Sequence, residues 1–517
     1  MIVYGLALLG FGVINFSIAQ MSSDWEKAGS PRTYYIDGFQ GNDANSGRTI
    51  SNAWKHLSKL SQIDLKPGDS VLLKRGSAFF EKLNIQAQGT AALPIVFDTY
   101  GKGNKPQIIA PDHALYTIEI KNSDYITLQD LEIVNKGSVR LAGRTGVKLL
   151  CQDYGVSHRL ILRGLYVHDV NGSLIKSKGG GSGIQIENKW RNKISIFDSL
   201  LIEDCVIRRT ARNGIIWNAP YRRDNWHPNT HIVVRKNLLE GVPGDGIVPI
   251  GCDSALIEYN VMRDCPEILP SSEAAAGIWP WSCDNTLIQF NEVSGQKNQW
   301  DAQGFDADYN CTNTTIQYNY SHDNYGGMVL ICNDGGSQYP YNIGNIGSVV
   351  RYNLSINDGI RPKPARSGKM FSPSIHVAGP VQNTVIEHNI IIQCPVTSAL
   401  IDRTMLEADS WNGFADSTII KKNLFFASGV SSFKMNHSTR NYFWGNYYIG
   451  NYQNLPFVSG SRRSYNYYQE NLTTPFSNGF NKIQHLLIIK TVGNGSAFGH
   501  FINKARVMDF QHNTLKY

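Results

Sequence analysis

Two tryptophans and three aspartates lie close together in the sequence and could act together on a sugar. Trp279 and Trp281 lie in Gly-Ile-Trp-Pro-Trp, Asp306 and Asp308 lie in Gly-Phe-Asp-Ala-Asp, and Asp301 comes shortly before them. Aromatic rings stack on the apolar face of a pyranose, and carboxylates bond its hydroxyl groups. Residues i and i+2 of a strand have Cα atoms about 6.6 Å apart, and inverting glycosidases hold their carboxyl pair roughly 6.5–9.5 Å apart. The sequence therefore predicts an acid and a base drawn from the three aspartates, with the tryptophans as substrate-binding residues.

Four further residues are candidates for binding the same substrate. Asp245 lies in Pro-Gly-Asp-Gly, Glu273 in Ser-Ser-Glu-Ala, His322 in Tyr-Ser-His-Asp-Asn, and Arg361 in a later loop. An aspartate beside glycine is also typical of a turn. His322 and Asp323 can equally form a hydrogen bond at a corner of the chain. The sequence leaves both the functional and the structural interpretation open for these residues.

A short repeat sets where these residues lie. The pattern (Ile/Val)-x-x-Asn ends at Asn237, Asn260, Asn291, Asn319, Asn353, Asn389 and Asn423. A repeat of this length without helical periodicity indicates a β-solenoid. Parallel coils stack about 4.8 Å apart, so equivalent positions in successive coils touch. We expect the asparagines to be structural, each with an inward amide that bonds the backbone and its own copies above and below.

Each repeat also has a second strand headed by glycine, at Gly214, Gly246, Gly277, Gly304 and Gly327. Side chains of a strand alternate between its two faces. The residue after each glycine is apolar and is expected to point inward. The outward positions are then Ile216, Val248, Trp279, Asp306 and Val329, followed by Asn218, Ile250, Trp281, Asp308 and Ile331. The predicted carbohydrate site therefore lies on one outer face of the solenoid.

The chain has 8 cysteines, and none of them belongs to a Cys-x-x-Cys pair. A zinc site is disfavoured for that reason. Cysteines follow four of the glycine-headed strands, at Cys252, Cys283, Cys311 and Cys332. We expect these four to form an inner stack of small apolar groups, with disulfides as the alternative.

The asparagine ladder, the stacked apolar positions and a helical N-terminal cap resemble the right-handed parallel β-helix of the pectate-lyase-like superfamily. The cap is predicted over Ser51–Leu65, where Trp54, Leu57, Leu60 and Ile63 recur every three residues. The resemblance implies an all-β solenoid. Its N-terminal cap and first coils take residues 33–110, the β-helix takes residues 111–450, and residues 451–517 form C-terminal coils or a tail.

The tryptophan and aspartate cluster looks like the substrate groove of β-helix glycoside hydrolases, including those that act as fucosidases, galactosidases or xylan-degrading enzymes. This resemblance implies a glycoside hydrolase that acts on a polysaccharide or oligosaccharide without a metal or other cofactor. A polysaccharide lyase is the alternative. It would use Asp306 and Asp308 as Ca²⁺ ligands, and its base would come from Arg361, Lys363, Arg366, Lys369 or His322. A non-catalytic carbohydrate-binding β-helix is the third possibility.

The composition and the N-terminal segment limit the possible binding partners and the cellular location of the protein. The 517 residues carry a net charge of +7 without a dense Lys/Arg run, which disfavours nucleic acid as a partner. Residues 1–20 are apolar and end in Ser-Ile-Ala before Gln20, which is typical of a signal peptide cleaved after Ala19. We expect a monomeric protein that is secreted or periplasmic and has no membrane span after cleavage.

Overall fold

The computed structural model describes residues 30–337, 341–368, 370–393 and 403–456, together with a strand at Tyr467–Gln469. Every strand pairing within these residues is parallel. The helical elements there are four short 3-10 helices, at Ile50–Asn52, Leu57–Gln62, Lys176–Lys178 and Arg223–Asn225. The predicted signal peptide at residues 1–19 and most of residues 451–517 lie outside the described residues.

Two long sheets, here called sheet A and sheet B, run the length of the solenoid. Sheet A has 14 strands: Thr33–Ile36, Ser70–Lys74, Ile95–Tyr100, Ile126–Gln129, Ile161–Arg163, Leu201–Glu203, Val233–Arg235, Leu256–Glu258, Leu287–Gln289, Thr315–Gln317, Val349–Arg351, Val385–Glu387, Thr418–Lys421 and Asn441–Trp444. Sheet B contains Ala78–Phe79, Gln107–Ile109, Glu132–Val134, Tyr166–Val170, Val206–Thr210, Leu238–Glu240, Val261–Arg263, Glu292–Ser294, Tyr320–His322, Leu354–Ile356, Ile390–Gln393, Leu424–Lys434, Tyr447–Tyr452 and Tyr467–Gln469.

Two further faces, sheet C and sheet D, complete each coil. Sheet C contains Leu83–Ile85, Tyr116–Lys121, Arg144–Gln152, Gly181–Lys189, Asn213–Asn218, Ile247–Val248, Phe305–Ala307, Val329–Cys332, Ile375–Ala378 and Thr404–Asp409. Sheet D contains Val156–His158, Ile196–Asp198, Asn229–Thr230, Cys252–Asp253, Cys311–Thr312 and Asn345–Ile346. A separate two-stranded pair joins Ala274–Ala275 to Trp300–Asp301. The chain passes through sheets A, B, C and D in turn, so the predicted parallel β-helix is confirmed.

The core is a set of stacks, one residue from each coil. Sheet A shows this most simply, because the middle residue of each of its short strands points inward. Ile257, Ile288, Ile316, Val350 and Ile386 pair in register along the sheet and are all buried. Each coil therefore adds its own apolar layer to the core, as repeat architectures do.

The predicted asparagine ladder is confirmed, and it also includes Asn446. Asn291 shows the pattern that the other members repeat. Its side-chain Nδ2 donates to the carbonyl of Ile257 at 2.9 Å and to Oδ1 of Asn319 at 3.0 Å. Its own Oδ1 accepts from the backbone N–H and the Nδ2 of Asn260. All of these groups are buried, and the ladder pairs each of them.

A column of glycines runs along the beginning of the strands of sheet C. Its members are Gly146, Gly183, Gly214, Gly246, Gly277 and Gly304. A Cβ atom on Gly277 would lie 2.3 Å from the carbonyl oxygen of Gly304, and one on Gly246 would lie 2.6 Å from that of Gly277. Glycine is therefore required here by the close approach of successive backbones.

The predicted cysteine stack is confirmed for three residues and wrong for the fourth. The backbone N–H of Cys252 contacts Sγ of Cys283, and that of Cys283 contacts Sγ of Cys311, each at 3.3 Å. These three thiols are buried and free. Asn345 takes the next position, since it pairs with Cys311. Cys332 instead lies on sheet C and packs outside the main core.

The expected outward positions of Val329 and Ile331 are also wrong. Phe305 pairs with Val329 and Ala307 pairs with Ile331, so both aliphatic side chains point into the core. Gly304 therefore lies opposite Met328, one residue after Gly327. This offset shifts the sequence of the later coil by one residue relative to the earlier coils. Because the side-chain period is two, this shift reverses the two faces of the strand. Leu330 and Cys332 therefore point outward.

The N-terminal segment does not form the single helix expected over Ser51–Leu65. It consists of the two short 3-10 helices at Ile50–Asn52 and Leu57–Gln62, with Trp54 extended between them. Trp54 bridges in parallel to Ile36 on the first strand of sheet A, and this pairing interrupts the helix. Leu57 and Leu60 are buried as predicted and belong to the main core.

Candidate active site

The outer face of sheet C brings the predicted aspartates and tryptophans together. Ile278 bridges to Phe305, so the outward residues Trp279 and Asp306 lie on adjacent coils, as do Trp281 and Asp308. Asp306 pairs on its other side with Leu330. Asp306 is 5% exposed, whereas Asp308 is half-buried and accessible. The alternation expected from the sequence therefore holds at these four positions.

Asp301 reaches the cluster from the turn between sheets B and C. Its strand, Trp300–Asp301, pairs with Ala274–Ala275, and its backbone has a left-handed φ of 61°. This conformation is uncommon for a residue other than glycine. The guanidinium of Arg361 holds it in place by donating to the carbonyl of Asp301 at 2.6 Å.

Arg361 itself is 4% exposed and is occupied by the protein. Besides Asp301, its guanidinium donates to the carbonyl of Asn298 and to the hydroxyl of Ser372. Burial lowers the pKa of Arg361 to about 10, and the charge of Asp301 offsets part of this effect. The structure places Arg361 behind the aspartate, where it fixes the backbone of Asp301.

Burial is the main cause that raises the pKa values of the three carboxyl groups, and neighbouring carboxylates add to it. Burial, followed by the charges of Asp308 and Asp245, raises the pKa of Asp301 to about 7. Burial raises the pKa of Asp308 to about 6, even though the Cys332 thiol and the Tyr309 N–H stabilise its charged form. Two carboxyl groups that titrate near neutrality beside each other are typical of acid and base pairs in catalysis.

Asp306 is the most strongly perturbed of the three. Burial, together with the charges of Asp301 and Asp308, raises its pKa well above the usual range. Its Oδ1 is buried and has no hydrogen-bond partner among the described residues. Both observations favour the protonated form of Asp306.

Asp245 and Glu273 form the wall of the site on the side of sheet B. Asp245 is fully buried and ion-pairs with Arg212, which is also fully buried. It also accepts hydrogen bonds from the indole N–H of Trp279 at 3.1 Å and from the backbone N–H of Ala276. Burial alone would raise the pKa of Asp245, but the charges of Arg212 and neighbouring Lys176 lower it.

Glu273 joins the same network and ties a distant loop to it. It is 9% exposed, and its carboxylate accepts from the Nε of Arg212 at 3.3 Å and from the backbone N–H of Lys176 at 2.7 Å. Glu273 thus fixes the 3-10 helix Lys176–Lys178 beside Trp279. The contacts given by the structure make both acidic residues part of the frame around the aspartate cluster.

Lys176 is a member of the site that the sequence analysis did not single out. Its ammonium nitrogen lies 4.9 Å from the ring centroid of Trp279. Its positive charge lowers the pKa values of Asp245, Asp301 and Asp308. The sequence feature that could have pointed to Lys176 is the segment Lys-Ser-Lys-Gly-Gly-Gly, an inserted loop that comes just before a strand of sheet C.

The two tryptophans have different surroundings. Trp279 is 7% exposed, because Lys176 lies over its ring and Asp245 holds its N–H. Trp281 is half-buried and contacts Tyr221, with ring centroids 4.6 Å apart. Trp281 is therefore the one of the two with ring surface available to a ligand.

His322 lies on sheet B, away from the outer face of sheet C. It hydrogen-bonds to Asp323 at 2.8 Å and approaches Glu292 at 3.4 Å, and its ring stacks on Tyr320. Burial alone would lower the pKa of His322, but these two carboxylates raise it to about 9.

The surroundings of His322 occur a second time in the same sheet. His168 bonds to Asp169 at 2.7 Å and to Glu132 at 2.9 Å, and its ring stacks on Tyr166 at a centroid distance of 4.2 Å. A recurring Tyr-x-His-Asp corner fits a structural unit of the solenoid. The structure does not bring His322 into contact with the aspartate cluster.

Two other kinds of site are absent from the described residues. Nowhere in residues 30–337, 341–368, 370–393 and 403–456 do three or more His, Cys, Asp or Glu side chains form an arrangement suited to a metal ion. In the part of the chain that the structure describes, no helix has the length and apolar character needed to cross a membrane.

Comparison with known proteins identifies relatives of this chain. The chain is 26% identical over 490 residues to a lacto-N-biosidase of Bifidobacterium longum subsp. longum, covering 74% of this chain and 30% of that protein. It thus spans less than a third of the curated relative it matches. No family model matches the sequence.

Solved structures give the same relationship. Two crystal structures of a GH136 lacto-N-biosidase from Eubacterium ramulus are 26% and 25% identical to the chain, with TM-scores of 0.59 and 0.57. They cover 78% and 82% of this chain, and the match spans 69% of the Eubacterium protein in each case. The chain is therefore a parallel β-helix protein that is similar in sequence and fold to bacterial lacto-N-biosidases.

Proposed function

We propose that this protein is a glycoside hydrolase that cleaves an oligosaccharide, of the type represented by lacto-N-biosidases. The observation that supports this most is the accessible pair Asp301 and Asp308, whose pKa values are about 7 and about 6. Hydrolysis of a glycosidic bond needs one protonated and one ionised carboxyl group at neutral pH. The kind of glycosidic bond is inferred from the relatives, and the acid and base catalysis is inferred from the two aspartates.

Asp308 acts as the ionised group. The Cys332 thiol at 3.0 Å and the Tyr309 backbone N–H at 2.7 Å both donate to its Oδ1, and both interactions favour the carboxylate. The ionised Asp308 acts at the anomeric carbon, either directly or through the attacking water.

Asp301 acts as the proton donor. Its pKa near 7 keeps a substantial fraction protonated at neutral pH, which suits a general acid. As the bond from the anomeric carbon to the glycosidic oxygen breaks, Asp301 transfers its proton to that oxygen. The elements of one water molecule are divided between the two products.

Asp306 stays protonated between them and acts as a positioning residue. Its hydroxyl proton can bond to a substrate oxygen or to a neighbouring carboxylate, while Asp306 adds no charge to the cluster. A third charge would raise the pKa of Asp308 further and reduce its ionised fraction. A neutral Asp306 therefore favours the ionised state of Asp308.

The lyase alternative is less well supported by the contacts of its candidate bases. Arg361 is buried against backbone carbonyls. Lys363 pairs with Glu267 at 2.8 Å, and the guanidinium of Arg366 lies over Trp300 at 3.8 Å from the ring centroid. His322 lies on another sheet, and Lys369 lies outside the described residues. Because these contacts occupy the candidate bases, they favour hydrolysis over elimination.

Product analysis distinguishes the three possible activities. An oligosaccharide that ends in lacto-N-biose is incubated with the protein, and the masses of the products are measured by mass spectrometry. Hydrolysis gives two saccharides whose summed mass exceeds that of the substrate by one water. Elimination gives no added water and an unsaturated product that absorbs in the ultraviolet. A bound but uncleaved substrate would mean a carbohydrate-binding protein and would contradict the proposal.

Export and a monomeric state belong to the same proposal. The apolar segment that ends in Ser-Ile-Ala supports cleavage after Ala19. Sequencing the N-terminus of protein recovered outside the cytoplasm should give Gln20 as its first residue, and light scattering should give the mass of one chain. Retention in the cell with residues 1–19 intact would contradict export.

A further inference from the structure

Four aromatic side chains form a row along the edge where the strands of sheet C end. The ring centroids of Tyr221 and Trp281 are 4.6 Å apart, those of Trp281 and Tyr309 are 6.0 Å apart, and those of Tyr309 and Trp411 are 5.7 Å apart. The last two pairs meet edge to face, at 70° and 84°. An edge-to-face contact covers only part of each ring, so the row keeps aromatic surface free.

The middle of the row lies beside the aspartate cluster, and its two ends lead away from it. Tyr309 directly follows Asp308 and donates its backbone N–H to that carboxylate. Trp281 lies on the coil next to Asp308. At the ends of the row, Tyr221 is 37% exposed and Trp411 is 38% exposed. Large aromatic side chains at these exposures next to a catalytic cluster mark a binding surface.

The row is anchored through its backbone on both sides. The carbonyl of Tyr221 accepts from the hydroxyl of Ser282 at 2.7 Å and from the side-chain amide of Asn310 at 3.1 Å. Both anchors come from the coils that carry Trp281 and Tyr309.

Trp411 is held in a comparable way. Its carbonyl accepts from the N–H of Gly335 at 3.0 Å, and the side chain of Asn412 donates to Asp334 at 2.9 Å. A backbone held in this way loses little conformational entropy when a ligand binds.

We infer that Tyr221, Trp281, Tyr309 and Trp411 form a subsite that binds a neutral sugar unit of the oligosaccharide cleaved at Asp301 and Asp308. The inference rests on the proposed function and adds to it where the substrate extends. Pyranose rings present apolar C–H faces that pack on aromatic rings, and their hydroxyl groups reach polar atoms at the edges.

The charge around the row selects a neutral unit over an acidic one. Asp308 and Asp334 both lie near Tyr309 and, after burial, contribute to raising its pKa. Two carboxylates would repel a uronate or sialate at this position. The guanidinium of Arg222, beside Tyr221, is paired with Asp224 at 2.6 Å and offers little attraction to an anion.

Binding is measured by calorimetric titration in an Asp308→Asn background, so that the ligand is not consumed. The ligand is a neutral tetrasaccharide that ends in lacto-N-biose. Trp411→Ala in this background should weaken binding about tenfold, the loss expected for one stacked ring. Tyr221→Ala should weaken it in the same direction and serves if the first variant is unstable. A tetrasaccharide of equal length with a uronate unit should bind more weakly than the neutral one.

Trp444→Ala is the matched control, because Trp444 is 46% exposed but lies on the last coil of sheet A. Unchanged affinity in the Trp411 and Tyr221 variants, or equal affinity for the acidic ligand, would overturn the inference. If the wild-type protein cleaves the tetrasaccharide while these variants bind normally, the proposed function stands and the subsite does not. If the wild-type protein cleaves nothing but binding needs Trp411, the proposed function fails and the saccharide subsite stands.

Discussion

The thiol of Cys332 lies 3.0 Å from Oδ1 of Asp308 and donates a hydrogen bond to it. This contact exists because the strand Val329–Cys332 is shifted by one residue relative to the coils before it, which turns Cys332 outward. The three other cysteines of the predicted stack point into the core. One shift in register thus changes a core residue into a partner of the ionised carboxylate.

Replacing Cys332 should change how activity depends on pH. The thiol stabilises the charged form of Asp308, so Cys332→Ala should raise the pKa of Asp308 and move the acidic limb of kcat/KM to higher pH. Cys332→Ser keeps a donor and should leave the limb close to its original position. The measurement is kcat/KM against pH for the three proteins. An acidic limb unmoved by the alanine variant would show that the contact has no effect on catalysis.

The wild-type enzyme should have a bell-shaped pH profile with its maximum between the two limbs. Activity requires Asp308 to be ionised, which fails as the pH falls below about 6. It also requires Asp301 to be protonated, which fails as the pH rises above about 7. These are the apparent values of a coupled pair. A profile that stays flat through this range would contradict the assignment of acid and base.

Lys176 should set the position of both limbs. Its charge lowers the pKa values of Asp301 and Asp308, so Lys176→Met should raise both and move the whole profile to higher pH. Activity on the acidic side should fall severalfold. Asp245 and Glu273 also face this lysine, and their contacts with Arg212 hold them in place in the variant.

Lys178→Met provides the control for this experiment. Lys178 lies on the same 3-10 helix and is exposed, but it is not among the main causes of the pKa shifts of the three aspartates. Its variant should keep the wild-type profile. Equal shifts in both variants would mean that the loss of net charge, rather than the place of Lys176, is responsible.

The asparagine ladder should account for part of the stability of the solenoid. Asn291→Ala removes buried hydrogen-bond partners from the backbone N–H of Asn260, from one N–H of its side-chain amide and from the carbonyl of Ile257. Each unsatisfied buried group costs about 1–3 kcal/mol, so the free energy of unfolding should fall by about 3 kcal/mol. Denaturant unfolding measures this, with exposed Asn192→Ala as the control. A loss within experimental error of the control would contradict a structural role for the ladder.

Much of this fold follows from local patterns that repeat. The asparagine ladder and the outward positions of Asp306 and Asp308 depend only on strand alternation and on equal spacing within a coil. The exchange of faces at Val329 and Ile331 was not predictable, because the glycine before that strand is offset by one residue from the others. An identical Gly-apolar pattern thus has a different register in this coil.

The contacts of the site depend on loops that no repeat specifies. Lys176 and Glu273 are 97 positions apart, and Arg361 and Asp301 are 60 apart. Insertions of variable length bring these pairs together, so periodicity cannot place them. The same limit explains why Trp279 and Trp281 looked equivalent in sequence, although Lys176 covers one and not the other.

The most direct test is the cleavage of an oligosaccharide that ends in lacto-N-biose by the wild-type protein and by Asp301→Asn and Asp308→Asn variants, with exposed Asp264→Asn as the control. The wild-type and control proteins should release lacto-N-biose at equal rates. Loss of a general acid or base lowers kcat by about 10²–10⁴-fold, and we expect a loss of that order in each variant. Full activity in either variant, or no release by the wild-type protein, would contradict the assignment of this site as a glycosidase active centre.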